Sequence, residues 1–178
     1  MCHDDVTSLL PATRDESLAT LEATTPALRR LTGALDDGAL DFHPAPDAWS
    51  IREVLAHLVD DEAFIMRQRL ARIVKEDRPD LAPHDENRWY DTRNTARDAR
   101  DELLADFETQ RAASLSLARL LRPADWQRVG FQPEYGEFTA ETWLAHWAEH
   151  DIVHLNQIEQ TLLALRQHPS YAPNTSAN

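Results

Sequence analysis

The stretch WLAHWAEHDIVHLNQIEQT, Trp143 to Thr161, constrains the chain most, because it sets His146, His150 and His154 at successive four-residue steps within a helical apolar pattern. On a helix that spacing stacks them along one face. Imidazole is the commonest protein ligand for borderline transition metals, and a pair at i and i+4 can grip one ion. A helix rises about 1.5 Å per residue, so His146 and His154 stand about 12 Å apart, whereas a metal–nitrogen bond is about 2 Å long. One ion therefore takes two adjacent members of the row, and a third ligand must come from elsewhere. His57, in WSIREVLAHLVDDE, is the best placed candidate.

The two histidine-bearing segments share a plan. Ser50-Ile51-Arg52-Glu53 reads as a capping box that starts a helix running to about Lys75, with Ile51, Leu55, Leu58 and Ile65 as its stripe and His57 on the flank. Thr139 caps a second helix reaching about Gln167, with Leu144, Ala148, Leu155, Ile158 and Leu162 as its stripe and His150 and His154 on the flank. Each stripe is interrupted by an acid, Glu62 in one and Asp151 in the other. A buried carboxylate needs a partner, so these two, with His146, are candidates for orienting a ligand or moving a proton, unless a local arginine pairs with them. Asp60 and Asp61 read as a solvated charged face. Trp143 and Trp147 read as core rather than as pocket walls.

Two further helices complete the pattern. Leu18, Leu21, Leu28, Leu31 and Leu35 recur at helical spacing around Pro26, which predicts either a kinked helix or two pieces. Thr95 to Leu121 is a third helix, with Leu103, Leu104, Phe107, Leu115, Leu117, Leu120 and Leu121 on its buried side and Pro123 after it. The long proline-bearing link EDRPDLAPHDENRWYDTRN is a crossover that packs over something, and VGFQPEYGEF is a small non-helical excursion turning at Gly136. With only four glycines in 178 residues, the chain is read as all-α: one four-helix-bundle domain over 15–167, a flexible start at 1–14 and a disordered tail at 168–178.

A formal charge of −13 argues against nucleic acid or an anionic membrane as partner. No apolar run approaches the roughly 20 residues that span a bilayer, and the start lacks the pattern of a signal peptide, which together predict a cytoplasmic protein. The single cysteine, Cys2, excludes an internal disulfide. Facing His57 against His150 and His154 gives three neutral nitrogens with an open position, a site suited to zinc, nickel or another divalent ion and able to bring a bound water or thiol towards deprotonation.

The ordered blocks AWSIREVLAHLVDDE, RPDLAPHDENRW and LAHWAEHDIVHLNQI resemble the DinB/YfiT-like superfamily of bacterial four-helix bundles, over nearly all of residues 15 to 165. The resemblance implies a three-histidine site that carries over to His57, His150 and His154, zinc or nickel as the ion, and frequent homodimers. It also implies either a thiol-dependent transferase or isomerase acting with a low-molecular-weight thiol, or a metal-dependent hydrolase, on a small-molecule substrate. It assigns no role to Asp85 or Trp89. The competing expectation is a non-catalytic stress or interaction protein in which the metal staples two helices together.

Overall fold

The computed structural model describes residues 13–169; the expected flexible start and tail fall largely outside them. Thr13 already caps helix α1 (Arg14–Thr32), and Arg14 pairs with Glu141, so the ordered domain begins slightly earlier than the sequence implies. The helix runs through Pro26 as one piece. The single bond that Pro26 cannot donate is set against burial of Leu21 and Leu28 on either side of it. A one-turn helix α2 (Asp37–Leu40) follows.

The capping box at Ser50 forms as expected: the Ser50 hydroxyl accepts from the Glu53 amide and the Glu53 carboxylate from the Ser50 amide, starting α3 (Ile51–Asp61). A π-helical turn over Glu62–Met66 leads without a break into α4 (Arg67–Lys75). The extra residue in that turn shifts the phase of the inward face, so Met66, Leu70 and Ile73 are buried while Ile65, expected in the stripe, is only half-buried.

The crossover holds a short helix, α5 (Glu86–Thr92), and a 3₁₀ turn at Thr95–Arg97. The third long helix, α6, spans Arg100–Arg119, shorter at both ends than the sequence suggested. Leu120, expected in the core, is 80% exposed because the helix has ended at the preceding residue. The excursion is a two-stranded antiparallel hairpin, β1 (Val129–Gln132) and β2 (Gly136–Thr139), paired Val129 to Thr139 and Gln132 to Gly136. Gly136 sits at φ 86°, a conformation that costs a side chain strain. The start of the crossover pairs with this hairpin, Leu81 N–H donating to the Phe131 carbonyl and Phe131 N–H to that of Pro79. Helix α7 (Ala140–Gln167), capped by Thr139, closes the bundle.

Helix α1 packs against α6 and α7, and α3 packs against the same two. The four long helices thus form a ring in which α1 and α3 are diagonal to each other. The core divides into two apolar clusters. One gathers Leu21, Met66, Leu70, Leu115, Trp143, Leu144 and Trp147; the other gathers Leu28, Leu55, Leu58, Leu104, Phe107, Ile158 and Leu162. Between them Thr24, Glu62, Arg111 and Asp151 form a buried, hydrogen-bonded polar layer.

Candidate metal centre

Arg111 dominates that polar layer. Its Nε and Nη2 donate to the two oxygens of Glu62, both at 2.9 Å, and Nη1 and Nη2 donate to Asp151 at 2.6 and 3.1 Å. Nη1 also reaches the Leu21 carbonyl at 2.8 Å, so all five N–H donors are used. Trp147 Nε1 donates to Glu62, and the Thr24 hydroxyl to Asp151. The acids that interrupt the two stripes are therefore explained by an arginine. Glu62 makes no hydrogen bond or ion pair to a histidine among the described residues, whereas Asp151 Oδ1 stands 3.9 Å from His150 Nδ1 and braces that ring from behind. Trp143 and Trp147 are core, as expected.

The three histidines meet. His57 on α3 is wholly buried, and His150 and His154 lie one turn apart on α7. One ring nitrogen from each lies within 4.8 Å of the others, and His57 Nε2 is 3.2 Å from His150 Nε2. Two ligands held at about 2.0–2.1 Å with tetrahedral angles stand about 3.4 Å apart, so this spacing is that of neighbouring ligands on one ion. His154 Nδ1 pairs with Gln157 Oε1 at 2.9 Å, which leaves its Nε2 for the centre. Burial lowers the pKa of His57 to about 4, and that of His154 well below its ordinary value, which keeps both rings in the neutral form that binds metal. Burial also opposes charge on His150, but Asp151 and Asp61 outweigh it and lift that ring to about 9 when no ion competes. His57 Nδ1 and His150 Nδ1, the nitrogens turned away from the shared point, are buried without a hydrogen bond and face Asp61 and Asp151 instead. The donor set fits a divalent metal ion.

His146, the first member of the row, is not part of this cluster. It packs among Tyr135, Phe138 and Trp143, and burial first, then the charges of His150 and Arg69, depress its pKa to about 4.

Two residues of the centre are absent from the sequence reading. Asp61, expected on a solvated face, is 3% exposed. Its Oδ1 lies 3.7 Å from His57 Nδ1 and 3.2 Å from His84 Nε2, and its Oδ2 lies 3.5 Å from His150 Nε2. Burial pushes this carboxyl up, but the close rings of His150, His84 and His57 hold it well below the usual carboxylate range. The signal was present in the four-residue step from His57 to Asp61, which puts both on one helical face. His84, brought in by the crossover, completes a second donor group with His57 and Asp61. No local pattern marks it. Asp60 is also engaged, accepting from Trp89 Nε1 at 2.8 Å and Arg93 Nε at 2.9 Å, which fastens α5 to α3. Asp85 caps α5 by accepting from the Arg88 amide. The Trp89 ring lies 5.2 Å from that of His57 and Trp49 lies 4.9 Å from it, so the crossover roofs the centre.

OB0782 of Oceanobacillus iheyensis, named as a proposed metal-dependent hydrolase, is 30% identical to this chain over 129 residues, 70% of this chain and 71% of its own. YfiT of Bacillus subtilis, named in the same way, is 23% identical over 154 residues, 84% of this chain and 85% of its own. The solved structure of YfiT, described as a four-helix bundle of unusual topology, matches with a TM-score of 0.77 at 21% identity, covering 89% of this chain and 91% of that one. TT2238, another four-helix bundle, matches with a TM-score of 0.61 at 23% identity, covering 83% and 99%. Both likenesses bear on the fold. The family model of the DinB superfamily matches residues 3–158, and this chain belongs to that superfamily.

Proposed function

We propose that this protein is a metal-dependent enzyme in which His57, His150 and His154 hold one zinc or nickel ion and a small-molecule substrate meets it at the open position. The observation that carries the reading is the convergence of three buried imidazoles from two distant helices, with two ligand nitrogens 3.2 Å apart. When bound, such an ion supplies Lewis acidity that favours the deprotonated form of a low-molecular-weight thiol or of water. The metal-dependent hydrolase names of the relatives support the water branch, and the family resemblance supports the thiol branch.

The protein's own groups have separable tasks. Asp61 faces His57 Nδ1 with one oxygen and His150 Nε2 with the other, and so positions both rings. His84 holds the other oxygen of Asp61 and is itself partly open to solvent. Asp151, locked by Arg111, keeps His150 in place. Trp49 and Trp89 exclude water above His57. A reduced small thiol is available in the cytoplasm, where we place the protein, and two copies associate as in many members of the superfamily.

Elemental analysis of the untreated protein tests the reading: close to one equivalent of divalent metal is expected, lost in His57→Ala and in His154→Ala. In cobalt-substituted protein an added thiol or azide changes the visible spectrum if the open position exchanges ligand. A silent spectrum, with a melting temperature that falls sharply on chelation, would establish a metal staple in place of an enzyme.

A further inference from the structure

In a chain with 31 acidic residues, several cations on its inner surfaces pair with carboxylates. Arg52 pairs with Asp37 and Asp41, Arg93 with Asp60 and Asp98, and Arg111 with Glu62 and Asp151. Arg69 does not. Among the described residues it forms no ion pair; its Nη2 donates to the Ala82 carbonyl at 2.5 Å and its guanidinium lies 5.2 Å from the centre of the Trp143 ring. One donor of five is thus accounted for.

Its position gives the isolation a meaning. Arg69 lies on α4, two turns beyond Asp61, and the side chain of a helical residue leans back toward the helix start, here toward the histidine centre. Its charge bears on Asp61, on His84 of the crossover and on His146 of α7, and is felt by Tyr135 and Glu134 of the hairpin. Glu134 is itself engaged by Gln132 Nε2. A partly desolvated guanidinium with four N–H donors not engaged, whose charge bears on groups around the histidines, matches a carboxylate bidentately.

We propose that Arg69 is an anion subsite of the centre, so that the ligand presented to the metal carries a carboxylate a few bonds from its metal-binding atom. The inference rests on the metal-and-thiol reading above and names its ligand class: small thiols bearing a carboxylate. Arg69 is a specificity-determining residue here and takes no part in bond making.

Cobalt-substituted protein, titrated with 3-mercaptopropionate and with 2-mercaptoethanol and read by its visible spectrum, separates the possibilities. Wild type is expected to bind the carboxylate thiol at least about tenfold more tightly than the neutral one. Arg69→Gln should erase that preference while leaving 2-mercaptoethanol affinity within about twofold, and Arg69→Lys should keep part of it. Equal binding of the two thiols by wild type would overturn the subsite and leave the metal–thiol reading standing. Equal weakening of both thiols in Arg69→Gln would also overturn it, reducing Arg69 to a latch on the Ala82 carbonyl. If neither thiol perturbs the spectrum, the thiol reading fails and the subsite falls with it.

Discussion

Replacing Arg111 with methionine tests the polar layer that divides the core. The side chain is 3% exposed and donates five hydrogen bonds, four of them to the carboxylates of Glu62 and Asp151, each of which is 1% exposed. Methionine fills much of the same volume, so packing changes little; what changes is the company of two buried acids. Glu62 keeps only its bond from Trp147, and Asp151 only that from Thr24. Removing one partner of a buried ion pair costs about 3–5 kcal/mol, because an uncompensated charge stays behind. Against a total stability of about 5–15 kcal/mol, that removes about a fifth at the least, and it lowers the melting temperature of a domain this size by about 10 °C. Urea unfolding of metal-free protein at neutral pH measures it; Asp151 keeps His150 at 3.9 Å, so the loss falls mainly on Glu62. The informative companion is the triple variant Glu62→Leu, Arg111→Met, Asp151→Leu, which removes both acids with the arginine and should regain most of the loss. A single substitution costing less than about 1 kcal/mol, or a triple variant no more stable than the single one, would refute the account of this layer as a mutually dependent charge set.

Metal-free protein should lose stability as the pH falls from about 6.5 to about 4: His146 is neutral at about 4 and above when folded but takes up its proton near 6.5 when unfolded, so acid favours the unfolded chain across that window. The His146 share is at most about 3 kcal/mol; His57 and His154, also held below their ordinary values, act in the same sense, so His146→Gln should lessen the loss between pH 7 and 4.5 in urea midpoints without abolishing it. His150, lifted to about 9, acts in the opposite sense between about 6.5 and 9 and does not mask it. Ala at Gly130 would place a Cβ 2.9 Å from Ile73 Cγ1, against the crossover as well as α4, and should cost about 1–3 kcal/mol in thermal melts. Gly136→Ala meets no neighbour but is strained at φ 86°, for about 1 kcal/mol. Ser50→Ala removes the acceptor for the Glu53 amide and should cost about 1 kcal/mol in urea unfolding, with a loss near zero excluding the cap as the start of α3.

The bundle and its three histidines were legible because each rests on local periodicity: caps at Ser50 and Thr139, stripes four residues apart, and imidazoles on one helical face. The parts that escaped depend on tertiary contact. Asp60 and Asp61 look like surface acids in isolation and become structural only when α5 brings Trp89 and Arg93 to the first and His84 to the second. Leu120 continues an apolar spacing that the helix itself abandons at Arg119. Arg111 sits where the third helix shows nothing but a charge, and its meaning depends on two acids 40 and 49 residues away.

The π-turn at Glu62–Met66 links these omissions. In a regular helix the inward positions after Leu58 continue through Glu62 to Ile65 and residue 69, which would bury Arg69 in the core. The added residue moves the inward set to Met66 and Leu70 instead. Upstream of the turn the helix offers His57 and Asp61 to α7 and Glu62 to Arg111; downstream it offers an unbroken apolar face to Trp143 and carries Arg69 out to the flank beside the centre. One helix thereby serves both as metal-bearing wall and as core, with the change of phase falling between the two duties. Such turns are frequent at functional sites, where the lost regularity sets a side chain that an even repeat would misplace.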